Sequence, residues 1–465
     1  MMHFYIKSYG CQMNVYDSQR MGDILISLGH KQEDQAENAN LLIFNTCSIR
    51  EKADDKLFSD LGRAKVLKDK SSENDFIIVV AGCVAQTRPE DLLARHPYVD
   101  MILGPQSIQS ISERIDDLIK NKNLDTLILT DQKASDKFEK FNKTGSFAEK
   151  SVSEYLTIQE GCDNFCTYCV VPHTRGREFS RSVKEITAEA KSLVANGVKE
   201  ITLLGQNVNS YNGVDESGET SRLSRLLWEL SSIEGLKRLR YTTSNPKDVD
   251  EDIAKAHRDI DILMPFLHLP VQSGSDEILR KMNRKYGRER YFEVIDMLRS
   301  YRPDMAFSSD FIVGFPGETD QDFEDTLDLV KKVKFSQAYS FKYSPRPNTP
   351  AAKMKNQVSG DVKAGRLQRL QDLLNQQQSD FNSSFVGREV EVLLAKEGRH
   401  SGQLAGRSEY FQAVTVGNSD GLNIGDIVKV RVTNAVSHSL IGEEYQIEEK
   451  CEIKRKSKVG GIDEC

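Results

Sequence analysis

Apolar residues recur along the first 120 positions in short runs: HFYIKSY (3–9), LLIFNT (41–46), FIIVVAG (76–82) and MILG (101–104). Runs of this length, rich in large aliphatic side chains, predict strands buried on both faces. Between them, 15–28, 50–69, 89–95 and 107–120 repeat apolar positions at helical spacing. Buried strands alternating with helices predict a parallel, doubly wound sheet. Residues 121–150 turn polar and read as a linker with one strand, TLIL (126–129).

The alternation resumes at 153. Expected strands are EYLTIQ (154–159), EITLLGQ (200–206), LRYTTS (239–244), MPFLHLPVQ (264–272), FSSDFIVGF (307–315) and AYSFKYS (338–344), with helices near 182–196, 221–234, 248–258, 288–301 and 320–334. Six β-then-α repeats predict a partial (β/α)6 barrel rather than the full eight. Residues 361–382 form a polar helix. After Gly387 the pattern changes to short strands with Gly and Asn turns: 389–395, 411–417 and 426–436. That is the pattern of a small all-β barrel. The fold class is therefore α/β with an all-β C-terminal module. The expected divisions are 1–120, a linker at 121–150, 151–382, 383–447, and a polar tail at 448–465.

The chain has 465 residues, and at roughly 150 residues per domain this length suits about three domains. The longest apolar runs are far too short to span a bilayer. The N-terminal MMHFYIKSYG lacks the long apolar run of a signal peptide. The expectation is a cytoplasmic protein with no membrane partner. The net charge of −7 argues against a generally basic nucleic-acid binder. Local basic stretches remain. Lys331 to Val358 holds seven Lys and Arg and no acid, and 450–458 adds five more cations against one Glu.

Eight cysteines fall at 11, 47, 83, 162, 166, 169, 451 and 465. In a cytosolic chain such clusters read as metal or redox chemistry rather than disulfides. Cys162, Cys166 and Cys169 stand at C-x3-C-x2-C in EGCDNFCTYCVVP, directly after the first barrel strand. Three thiolates can hold three irons of a [4Fe–4S] cube and leave the fourth open. A closed zinc site needs a fourth ligand, for which His173 is the nearest candidate. Cys11, Cys47 and Cys83 lie far apart in sequence, in SYGCQMN, FNTCSIR and VAGCVAQ. Each ends a predicted strand of one parallel sheet. The carboxyl ends of such strands share an edge, so the three cysteines converge. A second three-thiolate cluster site is the expectation, against three unrelated core cysteines. Cys451 and Cys465 have no such context.

The first cysteine spacing and its place resemble the radical S-adenosylmethionine (SAM) superfamily. Two three-Cys sites followed by a small barrel resemble the methylthiotransferase family over roughly 1–445. The strings YGCQMNVYDSQ, NTCSIREKAD, VVPHTRGREFSR and LLGQNVNSY resemble the branch that acts on N6-isopentenyladenosine in tRNA. His173 stands where a Tyr is common in the family. The resemblance implies two [4Fe–4S] clusters and SAM as cofactors. It implies methylthiolation of C2 of the adenosine beside the anticodon, and a TRAM-like RNA-binding barrel. Its partners would be the tRNA anticodon stem-loop and a low-potential electron donor such as flavodoxin or ferredoxin. Adenine C2 carries an unactivated C–H bond, which acid–base groups do not readily open. Related alternatives are threonylcarbamoyladenosine or a ribosomal-protein aspartate as substrate. A different class is a non-catalytic iron–sulfur RNA-binding protein.

The resemblance places Tyr168 near the SAM adenine, although packing would also explain an aromatic there. Polar residues at barrel-strand ends are the candidates to hold SAM: Gln206, Asn207, Ser244, Asn245, Gln272 and Ser273, with Asp310 inside the fifth strand for a ribose hydroxyl. Helix capping is the competing role. Arg175, Arg177 and Arg181 could meet RNA phosphate or the SAM carboxylate. The stretch 331–350 interleaves cations with Phe335, Tyr339, Phe341 and Tyr343, which suits single-stranded RNA. Alternating aromatics in a strand also suit a core.

Overall fold

The computed structural model describes residues 1–47, 51–71, 76–120, 126–130, 133–143, 151–417 and 419–449. Cys451, Cys465 and the basic stretch 450–458 lie outside the described residues, as do parts of 121–150. The chain divides into two compact units, Met1–Leu374 and Asn375–Cys465.

The first unit begins with six parallel strands in the order Lys31–Gln32, His3–Ser8, Leu41–Thr46, Ile77–Gly82, Met101–Leu103 and Leu127–Leu129. Leu41–Thr46 and Ile77–Gly82 are buried at every residue, because helices cover both faces. One apolar layer joins Phe4, Leu41 and Val79 to Met21 and Ile24. The other joins Leu42, Phe44 and Val80 to Leu57 and Leu61. This is the doubly wound sheet expected from the solid apolar runs.

Residues 133–143 depart from the polar linker expectation. Ala134–Lys143 is a helix that buries Phe138 and Phe141 at 1% exposure and Lys137 at 0%. Its composition hides this because the buried lysine is compensated by charge. Lys137 Nζ donates to Asp17 Oδ1 at 2.7 Å and to both Glu160 oxygens at 3.1 Å.

Six further parallel strands form the barrel. Ser153–Thr157, Glu200–Leu204 and Arg238–Tyr241 make one run. Phe266–His268, Ala306–Val313 and Gln337–Lys342 make the other. A single parallel bridge, Leu239 to Leu263, carries the first run into the second. Helices back the arc at Val183–Ala195, Leu223–Ser231, Glu251–Asp259, Arg288–Tyr301 and Asp320–Val333. Ser182 and Thr319 start two of them with reciprocal capping boxes. A short helix, Asp276–Lys281, has no counterpart in the apolar pattern.

In the second unit five strands close on themselves in the order Glu389–Glu397, Leu404–Ser408, Ala413–Val416, Ser439–Glu449 and Ile427–Val436. Val390, Val392, Val414, Val428, Val430 and Leu440 fill its interior. Two of the five strands, Leu404–Ser408 and Ser439–Glu449, lie outside the runs expected from sequence.

Candidate functional site

The register of the N-terminal sheet aligns three strand ends: Ser8 beside Asn45, and Thr46 beside Gly82. The chain leaves each end through a cysteine. Cys11 caps the helix Gln12–Ser27, Cys47 follows Leu41–Thr46, and Cys83 opens the helix Cys83–Thr87. Cys47 and Cys83 are buried. Glycine makes the approach possible: a Cβ on Gly10 (φ +117°) would stand 2.1 Å from Cys47 Cβ. One on Gly82 (φ +96°) would stand 2.3 Å from the Thr46 carbonyl oxygen.

The thiols feel one another. The Cys47 side chain holds the Cys11 thiol down at about 6, with burial opposing and Arg175 assisting. Burial pushes Cys83 up, and Arg175 partly offsets it. Two asparagines lock the turns together. Asn14 Nδ2 donates to Asn45 Oδ1 at 3.1 Å and to the Thr46 carbonyl at 3.0 Å, while Asn45 Nδ2 donates to the Asn14 carbonyl at 2.9 Å. Cys11 Sγ lies 3.1 Å from Asn14 Oδ1. Sequence reasoning missed both residues, although each sits within three positions of its cysteine.

The second three-cysteine loop runs from Gly161 to the short helix Val171–Thr174. Gly161 (φ +79°) has no room for a Cβ, which would meet the Arg177 carbonyl at 2.0 Å. The Cys162 amide donates to the Gly176 carbonyl at 3.2 Å, and the Thr167 amide to Met282 at 3.0 Å. Asn283 Nδ2 donates to the Phe165 carbonyl at 2.9 Å. Two donors face sulfur: Asn164 Nδ2 at 3.4 Å from Cys162 Sγ and Arg284 Nη1 at 3.5 Å from Cys166 Sγ. Burial, then the neighbouring Cys166, pushes the Cys169 thiol up to about 12. Among the described residues no three Cys, His, Asp or Glu side chains form a cage for a single metal ion.

The SAM candidates separate. Gln206 Oε1 accepts the Gly161 amide at 2.6 Å, so it touches the cysteine loop. Gln159, which sequence reasoning missed, accepts the amides of Gln206 and Asn207 at 2.9 and 3.3 Å. Asn207 donates to Asp248 at 2.8 Å, but its Oδ1 is buried without a partner. Ser244 Oγ is likewise buried and unpartnered. The Val208 amide donates to the Thr243 carbonyl at 3.0 Å, joining these two strand ends. Gln272 takes a positive φ of 74° and bridges to Phe311. Asp310 Oδ2 lies 3.5 Å from His268 Nε2. Tyr168 packs half-buried against Ile278, Met282, Phe315 and Tyr343.

Four candidates are occupied elsewhere. Asn245 caps the turn Pro246–Asp248. Ser273 is fully buried beside Thr326. Arg175 is 3% exposed, paired with Glu160 and, at 3.0 Å, with Asp17, so RNA phosphate does not reach it. Arg181 is fully buried, bonded to the Thr157 carbonyl at 2.8 Å and to Glu189 at 2.7 Å. Arg177 alone of the three arginines is open, at 78% side-chain exposure.

Residues 156–330 match the radical SAM superfamily, 3–104 the uncharacterized protein family UPF0004, and 383–443 the TRAM domain. Superfamily membership implies a [4Fe–4S] cluster and SAM. The tRNA-2-methylthio-N(6)-dimethylallyladenosine synthase of Bartonella tribocorum (strain CIP 105476 / IBS 506) is 51% identical over 442 residues, 94% of this chain and 95% of that protein. That of Bartonella henselae is 50% identical over the same shares. The fold is also that of the radical S-adenosylmethionine methyltransferase TsrM from Kitasatospora setae, with a TM-score of 0.55, 14% identity and 75% of each chain covered. The chain belongs to the tRNA-2-methylthio-N(6)-dimethylallyladenosine synthase family of radical SAM enzymes.

Proposed function

We propose that this chain methylthiolates C2 of N6-isopentenyladenosine next to the anticodon in tRNA, giving 2-methylthio-N6-isopentenyladenosine. The observation that carries the reading is that two separate three-cysteine sets stand at the carboxyl ends of two parallel sheets, in a chain 51% identical to synthases of that name. Cys162, Cys166 and Cys169 would hold the cluster that binds SAM, and Cys11, Cys47 and Cys83 a second one. The donor sets suit this: thiols in threes, with the Asn164 amide N–H on Cys162 and the Arg284 guanidinium on Cys166 in the barrel set. The orphaned Asn207 Oδ1 and Ser244 Oγ suit a polar ligand at the same barrel mouth. When bound, a cluster and SAM supply a carbon radical able to break an unactivated C–H bond.

The protein's own contribution is placement. Gln206 and Gln159 fix the cysteine loop to the second barrel strand, and Asn14 and Asn45 fix the N-terminal turns. In this reading 1–120 would hold the second cluster, 151–382 would perform the SAM chemistry, and 383–447 would contact RNA, with the radical SAM match at 156–330 and the TRAM match at 383–443 supporting the last two. The modified base lies in a loop, where it is easily splayed out. A flavodoxin- or ferredoxin-like donor would supply electrons in the cytoplasm; among the described residues no helix is long and apolar enough to cross a membrane.

Anaerobic reconstitution followed by mass spectrometry of nucleosides from tRNA incubated with SAM and reductant tests the reading. The reconstituted chain should hold about eight irons, and the triple Cys→Ala variant at 162, 166 and 169 about half. The triple variant at 11, 47 and 83 should still form 5′-deoxyadenosine but add no sulfur. Methylthiolated product from that last variant overturns the assignment of the N-terminal site.

A further inference from the structure

The aromatics of 335–343 divide into two sets. Phe335 and Tyr343 are core residues, 1% and 4% exposed. Tyr339 and Phe341, on the strand between them, are 48% and 44% exposed. Strand register says where they point. Asp310 pairs with Tyr339, Ile312 with Phe341, and His268 with Ser308. Laterally paired residues of a parallel sheet project from the same face. The other face is assigned: Leu267, Phe307, Phe311 and Val313 pack with the helix residues Val294 and Leu327. Tyr339 and Phe341 therefore face the barrel lumen, with Asp310.

That lumen face is a graded surface. His268 bonds Ser308 Oγ at 2.8 Å, stands 3.5 Å from Asp310, and meets the Tyr339 ring edge-on at 6.2 Å between centroids. One step towards the strand ends, Ile312 shares a small apolar cluster with Tyr168 of the cysteine loop. Phe341 lies beside Ile312 in register. Gln337–Lys342 is also the terminal strand of its run, paired on one side only among the described residues. Packing gives no reason for two large aromatic rings in the open lumen on such an edge. An incoming planar base with an apolar branch does.

We propose that Tyr339 and Phe341 are specificity-determining residues that receive the target base: Tyr339 stacks on the adenine ring, and Phe341 with Ile312 meets the apolar tail on N6. This rests on the substrate reading given under Proposed function and extends it to the recognition of the tail. Stacking on an aromatic side chain is tolerant of base identity, so discrimination falls mainly on Phe341. An apolar pocket separates ligands that differ by a few carbons by roughly tenfold or more.

The test is fluorescence anisotropy of the full-length reconstituted protein with two anticodon stem-loop RNAs, one carrying N6-isopentenyladenosine at the target and one plain adenosine. The wild-type chain should bind the isopentenylated RNA roughly tenfold or more tightly. Phe341→Ser should erase most of that ratio, and Phe341→Leu should keep much of it. Tyr339→Ser should weaken both RNAs by roughly five- to a hundredfold. Iron content and melting temperature check that each variant is folded. An unchanged ratio in folded Phe341→Ser overturns the proposal, as does a wild-type protein that binds both RNAs equally. A wild-type protein that prefers the isopentenylated RNA yet yields no methylthiolated nucleoside would overturn the function and leave the recognition standing.

Discussion

Arg284 is fixed from three sides: its Nε donates to Tyr286 Oη at 2.8 Å, its Nη2 to the Pro270 carbonyl at 3.0 Å, and its Nη1 points at Cys166. A cation at a ligand sulfur favours the more negative, reduced form of a cluster. Arg284→Gln should therefore lower the midpoint potential of the barrel cluster on the order of tens of millivolts, where 59 mV is a tenfold change for one electron. An EPR-monitored redox titration reads this, and an unmoved midpoint would remove Arg284 from any tuning role. His257 makes a different kind of prediction. It is 1% exposed, bonded to Tyr241 Oη at 2.8 Å, and burial depresses its pKa to about 3. Below the unfolded value of about 6.5 the unfolded chain binds a proton that the folded chain does not. Stability therefore falls as pH drops from about 6.5 towards 3, by about 1.4 kcal/mol per unit. His257→Gln, which cannot titrate, should show a smaller drop in melting temperature between pH 7 and pH 5.5 by differential scanning fluorimetry, the two pH values being chosen about one unit or less from that unfolded pKa. An equal drop would assign the acid sensitivity elsewhere.

Among the elements, the strand-to-helix turns that carry Cys11 and Cys83 are tightly constrained, with no room for a Cβ on Gly10 or Gly82. Gly82→Ala puts a methyl 2.3 Å from the Thr46 carbonyl oxygen at a positive φ, and such substitutions cost more than about 1 kcal/mol. The expected outcome is a lower melting temperature and loss of up to half the reconstituted iron. Full iron with an unchanged melting temperature would mean the turn tolerates a Cβ. The Cys11 and Cys83 turns were legible in the sequence because a strand run, then a glycine, then a cysteine leaves few geometries; Cys47 was legible only from its place at the end of the solid run LLIFNT. Longer amphipathic helices such as Asp320–Val333 were legible for the same reason: period and cap agree. What escaped were elements whose burial is not written in apolar residues. Ala134–Lys143 buries a lysine through carboxylates supplied by distant segments. Leu404–Ser408 is LAGRS, with no apolar run to announce a strand. The role of Arg175 also escaped, because an arginine beside a cysteine loop looks like a phosphate ligand until Asp17 and Glu160 are seen on it. For Asn245 and Ser273, capping and packing prevailed over ligand binding.

At the scale of the whole molecule, RNA binding and cluster chemistry are expected to separate. Every cysteine proposed to hold a cluster lies before residue 170, and the barrel of the second unit starts at Glu389. Deletion from about Ser384 should weaken tRNA binding while SAM cleavage to 5′-deoxyadenosine continues. The slope of log affinity against log salt should become shallower by about 0.7–0.9 for each phosphate that the truncated protein no longer neutralises. A salt series by filter binding checks it. Unchanged affinity in the folded, truncated protein would mean that the first unit alone holds the RNA.

Asp17 stands on the helix Gln12–Ser27, Lys137 on Ala134–Lys143, and Glu160 and Arg175 flank the cysteine loop after the first barrel strand; together they form a buried quartet with no net charge. Removing one member leaves an uncompensated charge in the interior, at about 3–5 kcal/mol. The N-terminal sheet and the barrel are thus coupled through this quartet. A gene chimera that joins the front half of one relative to the back half of another should be less stable when either parent lacks a member of this quartet. Where a parent lacks one member, survivors of a genetic selection should carry a second change at one of the other three positions.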